Sequence, residues 1–128
     1  MTKPQSPSPV DNWEAQLRKG SLELAILASL WAEPLYGLDV LRVLRARGEM
    51  DVAPGTLYPI LNRLRIEELV TSEWRDTGTV HPRKYYTLTG AGRVKTAEMV
   101  RTWNAFSGRM DDLVSAVRLK GERSDKAR

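Results

Sequence analysis

Thr56, Tyr58, Pro59, Asn62 and Arg63 crowd one short stretch, "GTLYPILNRLRIEELV", which runs from Gly55 to Val70. Small hydroxyls and amides can read base edges or bind phosphates, and a guanidinium can hold a phosphate. A second group surrounds the segment "DTGTVHP": Arg75 on one side, Arg83 and Lys84 on the other, Thr79 and His81 within it. Both groups suit an anionic ligand rather than bond-making chemistry. The chain has a single histidine and no cysteine. General-base work needs a positioned group with a tuned pKa, and a structural zinc site needs a cluster of ligands. Gly90 and Gly92 lack the Lys-Ser/Thr that would complete a phosphate-binding loop. No enzyme, metal or cofactor is therefore expected. The competing readings are an ordinary amphipathic helix whose outer face meets water, and a hairpin tip charged for solubility.

The elements that would position these groups can be read from hydrophobic spacing. Asp11, with Glu14 three residues on, resembles a capping box and opens a helical pattern through Leu17, Leu24, Leu27, Leu30 and Trp31. Gly20 is placed to divide that helix, and Pro34 to stop it. A second helix covers "LYGLDVLRVLRARG", with Leu38, Leu41 and Leu44 on one stripe, widened by Val40 and Val43, and Gly48 as its C-cap. Pro54 at a first helical position opens a third helix, reaching about Leu69, whose apolar side is Leu57, Ile60, Leu61 and Leu64. Its opposite side carries Thr56, Tyr58, Pro59, Asn62 and Arg63, and its start offers free N–H groups to a phosphate. The period then changes to that of strands over Val70–Arg75 and Arg83–Thr89, joined by a loop. Tyr85 and Tyr86 are expected to pack on the strand rather than stack on bases. Three helices followed by a hairpin is the order of a winged helix-turn-helix, in which the second of the paired helices enters the major groove.

From Gly90 a long helical pattern returns: Val94, Ala97, Val100, Trp103, Phe106, Met110, Leu113 and Val117. So long a stripe exceeds what so small a domain can bury, and a second copy of the chain is its expected cover. The expected division is a disordered tail to about residue 10, a DNA-binding domain over 11–89, a dimerisation helix over 90–119 and a charged tail over 120–128. The 128 residues suit one domain with an extension. Hydrophobic content of 41% and charged content of 28% suit a core and solubility, and a net charge of +4 favours an anionic partner. No apolar run reaches the ~18 residues of a membrane span. The start "MTKPQSPSPV" does not read as a secretory signal, so a cytoplasmic protein is expected.

The segments "GSLELAILASLWAEPLYGLDVL", "PGTLYPILNRL" and "PRKYYTLTGAGR" resemble the PadR family of bacterial transcriptional regulators. The likeness extends from Leu17 to Leu113, and the short C-terminal extension is similar to the small PadR subgroup. It implies a fold that is mainly α with a small β-hairpin, a winged helix-turn-helix domain plus a long C-terminal dimerisation helix. It implies a homodimeric repressor on an inverted-repeat operator, with Tyr36, Thr56, Tyr58, Asn62, Arg63, Arg83 and Lys84 on the DNA side. It implies a last helix swapped across the dimer. A tryptophan there lines a pocket for flat aromatic effectors in some relatives, and Trp103 stands at that place among Val100, Phe106 and Met110. Pure dimer packing is the other reading of Trp103. Two positions depart from the family pattern: Ala53 stands where a polar cap precedes "PGTLY", and Glu68 where a glycine ends the third helix. A protein-interaction module without sequence-specific DNA binding is the alternative function. A basic wing of Arg75, Arg83 and Lys84 speaks against it.

Overall fold

The computed structural model describes residues 9–76, 78 and 81–119. The expected tails before residue 9 and after residue 119, and Thr79 of the hairpin loop, lie outside the described residues. Four helices and three short strands follow in order: α1 Pro9–Ser29, β1 Leu35–Tyr36, α2 Gly37–Gly48, α3 Pro54–Ile66, β2 Val70–Arg75, β3 Arg83–Leu88 and α4 Gly90–Val114. The chain forms two compact units, one up to Thr96 and one from Ala97.

In the first unit the core is built from Leu22, Ile26, Leu27 and Leu30 of the first helical stretch, Val40 and Leu44 of α2, and Leu57, Leu61 and Leu64 of α3. Val70, Leu35, Tyr86 and Leu88 of the sheet close it. Helical spacing puts Leu57, Leu61 and Leu64 on one side of α3, and all three are fully buried. Truncating one such leucine to alanine costs about 2–5 kcal/mol in a well-packed core. The sheet is antiparallel in the order β1-β3-β2. The register pairs Val70 with Leu88, Ser72 with Tyr86 and Trp74 with Lys84, so these share one face. Thr71, Glu73, Arg75, Arg83, Tyr85 and Thr87 share the other, by the same alternation. Burial pushes the Tyr86 phenol above its ordinary pKa, in keeping with strand packing.

Several local expectations are corrected. α1 is continuous through Gly20 and starts at Pro9, with Asp11 inside its first turn. One glycine costs a helix only about 1 kcal/mol, which the flanking backbone bonds outweigh. Leu17 and Trp31 are exposed, and the buried stripe is instead Leu22, Ile26, Leu27 and Leu30. Leu38 is 47% exposed, because α2 turns Gly37, Val40 and Leu44 to the core. Gly48 is the last helical residue; the left-handed C-cap is Glu49, at φ 52°. The hairpin gains a third strand, since Leu35 pairs with Tyr86 and Tyr36 with Tyr85. Two residues pairing with a strand some fifty positions away leave no local period to read.

α3 ends at Ile66 in a Schellman arrangement. The Leu69 N–H donates to Leu64 O at 2.9 Å and the Glu68 N–H to Arg65 O at 2.9 Å. Glu68 itself takes the left-handed conformation, at φ 64°. The chain then turns back on itself at the start of α4. The Thr89 N–H donates to Leu69 O at 3.0 Å and the Thr89 hydroxyl to Glu68 O at 2.7 Å. The same hydroxyl accepts from the Gly92 N–H at 2.9 Å, which caps α4. A methyl on Gly92 would overlap the Leu69 carbonyl oxygen.

In the second unit the helix continues to Val114 and Val100, Trp103, Phe106, Met110, Leu113 and Val117 are exposed in the single chain.

Glu68→Gly is expected to raise unfolding free energy by about 1 kcal/mol, the penalty for a left-handed L-residue less the added freedom of the unfolded glycine. Gly92→Ala is expected to lower it by about 2 kcal/mol or more through the forced backbone shift. Urea titrations of both variants check the signs; an unchanged midpoint for Gly92→Ala would contradict the close approach.

Candidate nucleic-acid interface

α3 begins at Pro54 behind Ala53, which makes no side-chain cap bond. The Ala53 carbonyl still accepts the Thr56 N–H at 2.9 Å and the Leu57 N–H at 3.0 Å. The helix thus closes on backbone alone, and its first N–H groups lack the side-chain acceptor that a serine or aspartate would supply. With the leucines buried, helical spacing turns Pro59, Asn62 and Ile66 directly outward. Tyr58 and Arg65 fall on one flank, Thr56 and Arg63 on the other.

Tyr58 packs its ring and hydroxyl over Gly37, where a Cβ would overlap them. The tyrosine of α3 and the glycine that opens α2 are therefore one contact between the paired helices. Tyr58 nevertheless stays 40% exposed, so it braces the helix and also lines its outer surface. The Asn62 Oδ1 accepts from Arg65 Nη2 at 2.8 Å, which leaves the amide NH2 as the donor. Arg65, absent from the expected set, therefore sits beside the residue most suited to reading a base.

On the other flank Arg63 is already engaged. Its Nη2 lies 2.8 Å from Glu23 of α1 and its Nη1 3.2 Å from Glu67. Glu23 also pairs with Lys95 of α4, at 3.2 Å. One carboxylate thus ties three helices. Partial burial pushes the Glu23 carboxyl up, but Arg63 and Lys95 outweigh it and hold the carboxyl below the 4.5 of an ordinary glutamate. Glu23 in turn raises the Arg63 guanidinium.

The wing gathers cations and rings on one face of the sheet. The Arg83 guanidinium lies 4.6 Å from the Tyr36 ring centre, and that of Arg75 4.7 Å from the ring centre of Tyr85. The two rings are 5.7 Å apart. Arg42 of α2 donates to the Tyr36 hydroxyl at 3.1 Å and to Asp39 at 3.0 Å, while Arg75 donates to Glu73 at 2.7 Å. On the opposite face the Lys84 ammonium lies 5.7 Å from the Trp74 ring centre. Tyr36 reaches this cluster through β1, an element that short-range pattern does not reveal. Nor does short-range pattern single out Arg42, one of several arginines on an amphipathic helix. His81 is exposed at the far end of the hairpin loop, where Gly78 turns at φ 80° and donates its N–H to Asp76. Trp103, Val100, Phe106 and Met110 belong to the second unit. Among the described residues no group of His, Cys, Asp and Glu could hold a metal ion, and no helix is long and apolar enough to cross a membrane.

Comparison with known proteins gives a consistent relationship. A family model described as the transcriptional regulator PadR-like family matches residues 26–98. A PadR-like transcription factor from Bacteroides fragilis is 37% identical in sequence, and the match covers 80% of this chain and 99% of that one, with a TM-score of 0.66. A PadR family transcriptional regulator from Eggerthella lenta is 33% identical over 82% of this chain and 91% of its own, with a TM-score of 0.72. For a PadR-like transcriptional regulator from Bacillus cereus the values are 30%, 84%, 99% and 0.72.

Glu23→Gln is expected to cost roughly 0.5–1 kcal/mol, as for a partly exposed ion-pair network. Because the folded carboxyl is more acidic than the unfolded one, its contribution is present above the ordinary glutamate range and fades as pH falls through the folded value. The wild-type protein should therefore lose its advantage over Glu23→Gln on acidification. Denaturant midpoints at neutral and acid pH measure this; a gap that persists undiminished in acid would contradict the ionic origin.

Proposed function

The chain belongs to the PadR-like family of transcriptional regulators, and on that footing we propose that it is a dimeric repressor that binds an inverted-repeat operator. The observation that carries this reading is the seating of α3. Three buried leucines and the Tyr58–Gly37 contact fix the helix while Asn62 and Pro59 face outward. In the proposal Thr56, Tyr58, Pro59 and Asn62 enter the major groove. Arg63 takes a phosphate at the flank by exchanging one carboxylate for it, while Tyr36, Arg75, His81, Arg83 and Lys84 hold the backbone beside the wing. Residues 11–89 are the DNA-binding part and 90–119 the pairing segment, in which α4 ends at Val114, short of the expected helix to 119, and whose exposed stripe through Val100, Trp103, Phe106 and Met110 a second copy covers. Release by a flat aromatic effector at Trp103 is the regulatory half of the proposal.

The experiment is selection of genome fragments with purified protein, followed by affinity for the enriched duplex across a salt series. An inverted repeat with half-sites about one helical turn apart (~34–36 Å), bound with a steep salt slope, supports the reading. No enrichment and shallow, sequence-blind binding would favour the protein-interaction alternative. On the enriched duplex, Asn62→Ala should relax preference at one position by about 1–3 kcal/mol. Lys84→Ala should weaken binding to every sequence and flatten the salt slope by roughly one unit. Met110→Lys, which puts a charge in the apolar stripe, should convert the dimer to a monomer in sedimentation; a persisting dimer would remove that stripe from the interface.

A further inference from the structure

Trp74 is 68% exposed on an edge strand, more than any other exposed aromatic among the described residues. It does not belong to the core, and it lies on the sheet face opposite Arg75, Arg83, Tyr36 and Tyr85. An indole held in water forgoes the burial that makes tryptophan useful in a fold, and such rings recur where one protein surface meets another molecule. Its orientation is nevertheless fixed. Trp74 pairs directly with Lys84 across the hairpin, and the ammonium stands 5.7 Å from the ring centre. A flat apolar surface is thus presented next to a positive charge.

The two faces of the hairpin differ in ligand chemistry but not in sign. One carries Arg75 and Arg83, the other Lys84. A ribbon with cations on both faces matches a groove with phosphates on both walls. The minor groove is such a groove, only roughly 6 Å across, and its walls are the apolar edges of deoxyribose. An aromatic ring can lie against that surface without a hydrogen bond, and because the sugars are the same at every step such a contact carries no base preference.

We propose that Trp74, oriented by Lys84, is a DNA-contacting residue of the wing whose indole packs against the sugar wall of the minor groove. This contact rests on the operator-binding reading above and adds to it a residue that carries no charge and no base-specific donor. Lys84 neutralises phosphate; Trp74 contributes contact area. The two should therefore separate experimentally. Removing the ring should weaken binding without changing its salt dependence, whereas removing the ammonium should change both.

The test uses the full-length protein and the duplex enriched by selection. Trp74→Ala should bind about tenfold more weakly, the order expected for loss of one apolar aromatic contact. Its salt slope should equal that of the wild type, and Trp74→Phe should restore most of the affinity. As a second measurement, tryptophan emission is followed during titration with unlabelled duplex, and the change seen for the wild type should shrink in Trp74→Phe. Placing ribose for deoxyribose under the wing adds a hydroxyl to the minor-groove wall and leaves the base edges unchanged. It should shift wild-type affinity more than that of Trp74→Ala. Wild-type affinity in Trp74→Ala, with an unchanged emission response in Trp74→Phe, overturns the contact while leaving operator binding intact. Equal response of both proteins to the ribose substitution overturns the groove assignment. Failure of the wild type to bind any duplex removes this inference together with the function it rests on.

Discussion

Two approaches too close for a methyl group hold α3 in place. At its start the Tyr58 phenol lies over Gly37, where the backbone opens α2. Just past its end the Leu69 carbonyl lies against Gly92, where the backbone opens α4. Between these grips the buried leucines supply the apolar area, but area alone is non-directional and lets a helix rotate or slide. The glycine contacts fix its axis. Thr89 strengthens the second grip by acting at once as cap for α4 and as donor to the Glu68 carbonyl. The runs "LYG" and "TLYP" are thus the halves of one contact, and "EELV" and "TLTGAG" the halves of the other, written apart in the chain.

Electrostatics are layered over this frame and are individually weak. The arginines near α3 do not stand ready as bare charges. Arg63 is held by Glu23 and Glu67, Arg65 by Asn62, and Arg42 by Asp39 and the Tyr36 hydroxyl. Each pair is partly exposed, so each contributes little to stability and can be exchanged at small cost. A phosphate arriving at Arg63 would replace one carboxylate by another anion, leaving Glu23 with Lys95. That arrangement holds the guanidinium in one geometry. The arginine–tyrosine stack of the wing does the same for Arg75 and Arg83, at about 0.5–1 kcal/mol for an exposed cation–π contact.

Much of this was legible from spacing. β2 falls on the segment expected, β3 stops one residue short of it, and α3 buries the leucines its period selects. The errors share a cause. Leu38, Leu17 and Trp31 are apolar and correctly spaced for a stripe, yet are exposed, because the orientation of a helix is decided by its partner and not by its own pattern. β1 lies in a stretch whose spacing suggests the start of a helix, because its partner strand is remote in sequence. For Tyr58 the sequence allows both a DNA-facing role and half-buried packing; the contact with Gly37 that decides its inner side links two helices and cannot be found from either alone. The Glu23 hub is similar. Nothing in "GSLELAIL" distinguishes that glutamate from a solvated one until α3 and α4 bring Arg63 and Lys95 to it.

Glu68 shows how the frame tolerates a locally poor residue. A glycine would take the left-handed conformation at no steric cost, whereas an L-residue there costs about 1–2 kcal/mol. The backbone turn forms regardless, because its alternatives are worse. The Leu69 N–H and carbonyl are committed to Leu64 and Thr89, and the Glu68 carbonyl to the Thr89 hydroxyl. Unwinding the turn would give up these bonds and the seat of Leu69 against Gly92 together. The strain is therefore confined to one φ angle, and the path from α3 into the wing keeps its geometry. The same reasoning applies to Ala53 at the other end of α3, where a missing side-chain cap is survived because Pro54 and Tyr58 fix the entry of the chain. Both departures from the family pattern sit at the ends of α3, beside the two glycine grips, where the surrounding contacts are dense enough to absorb them.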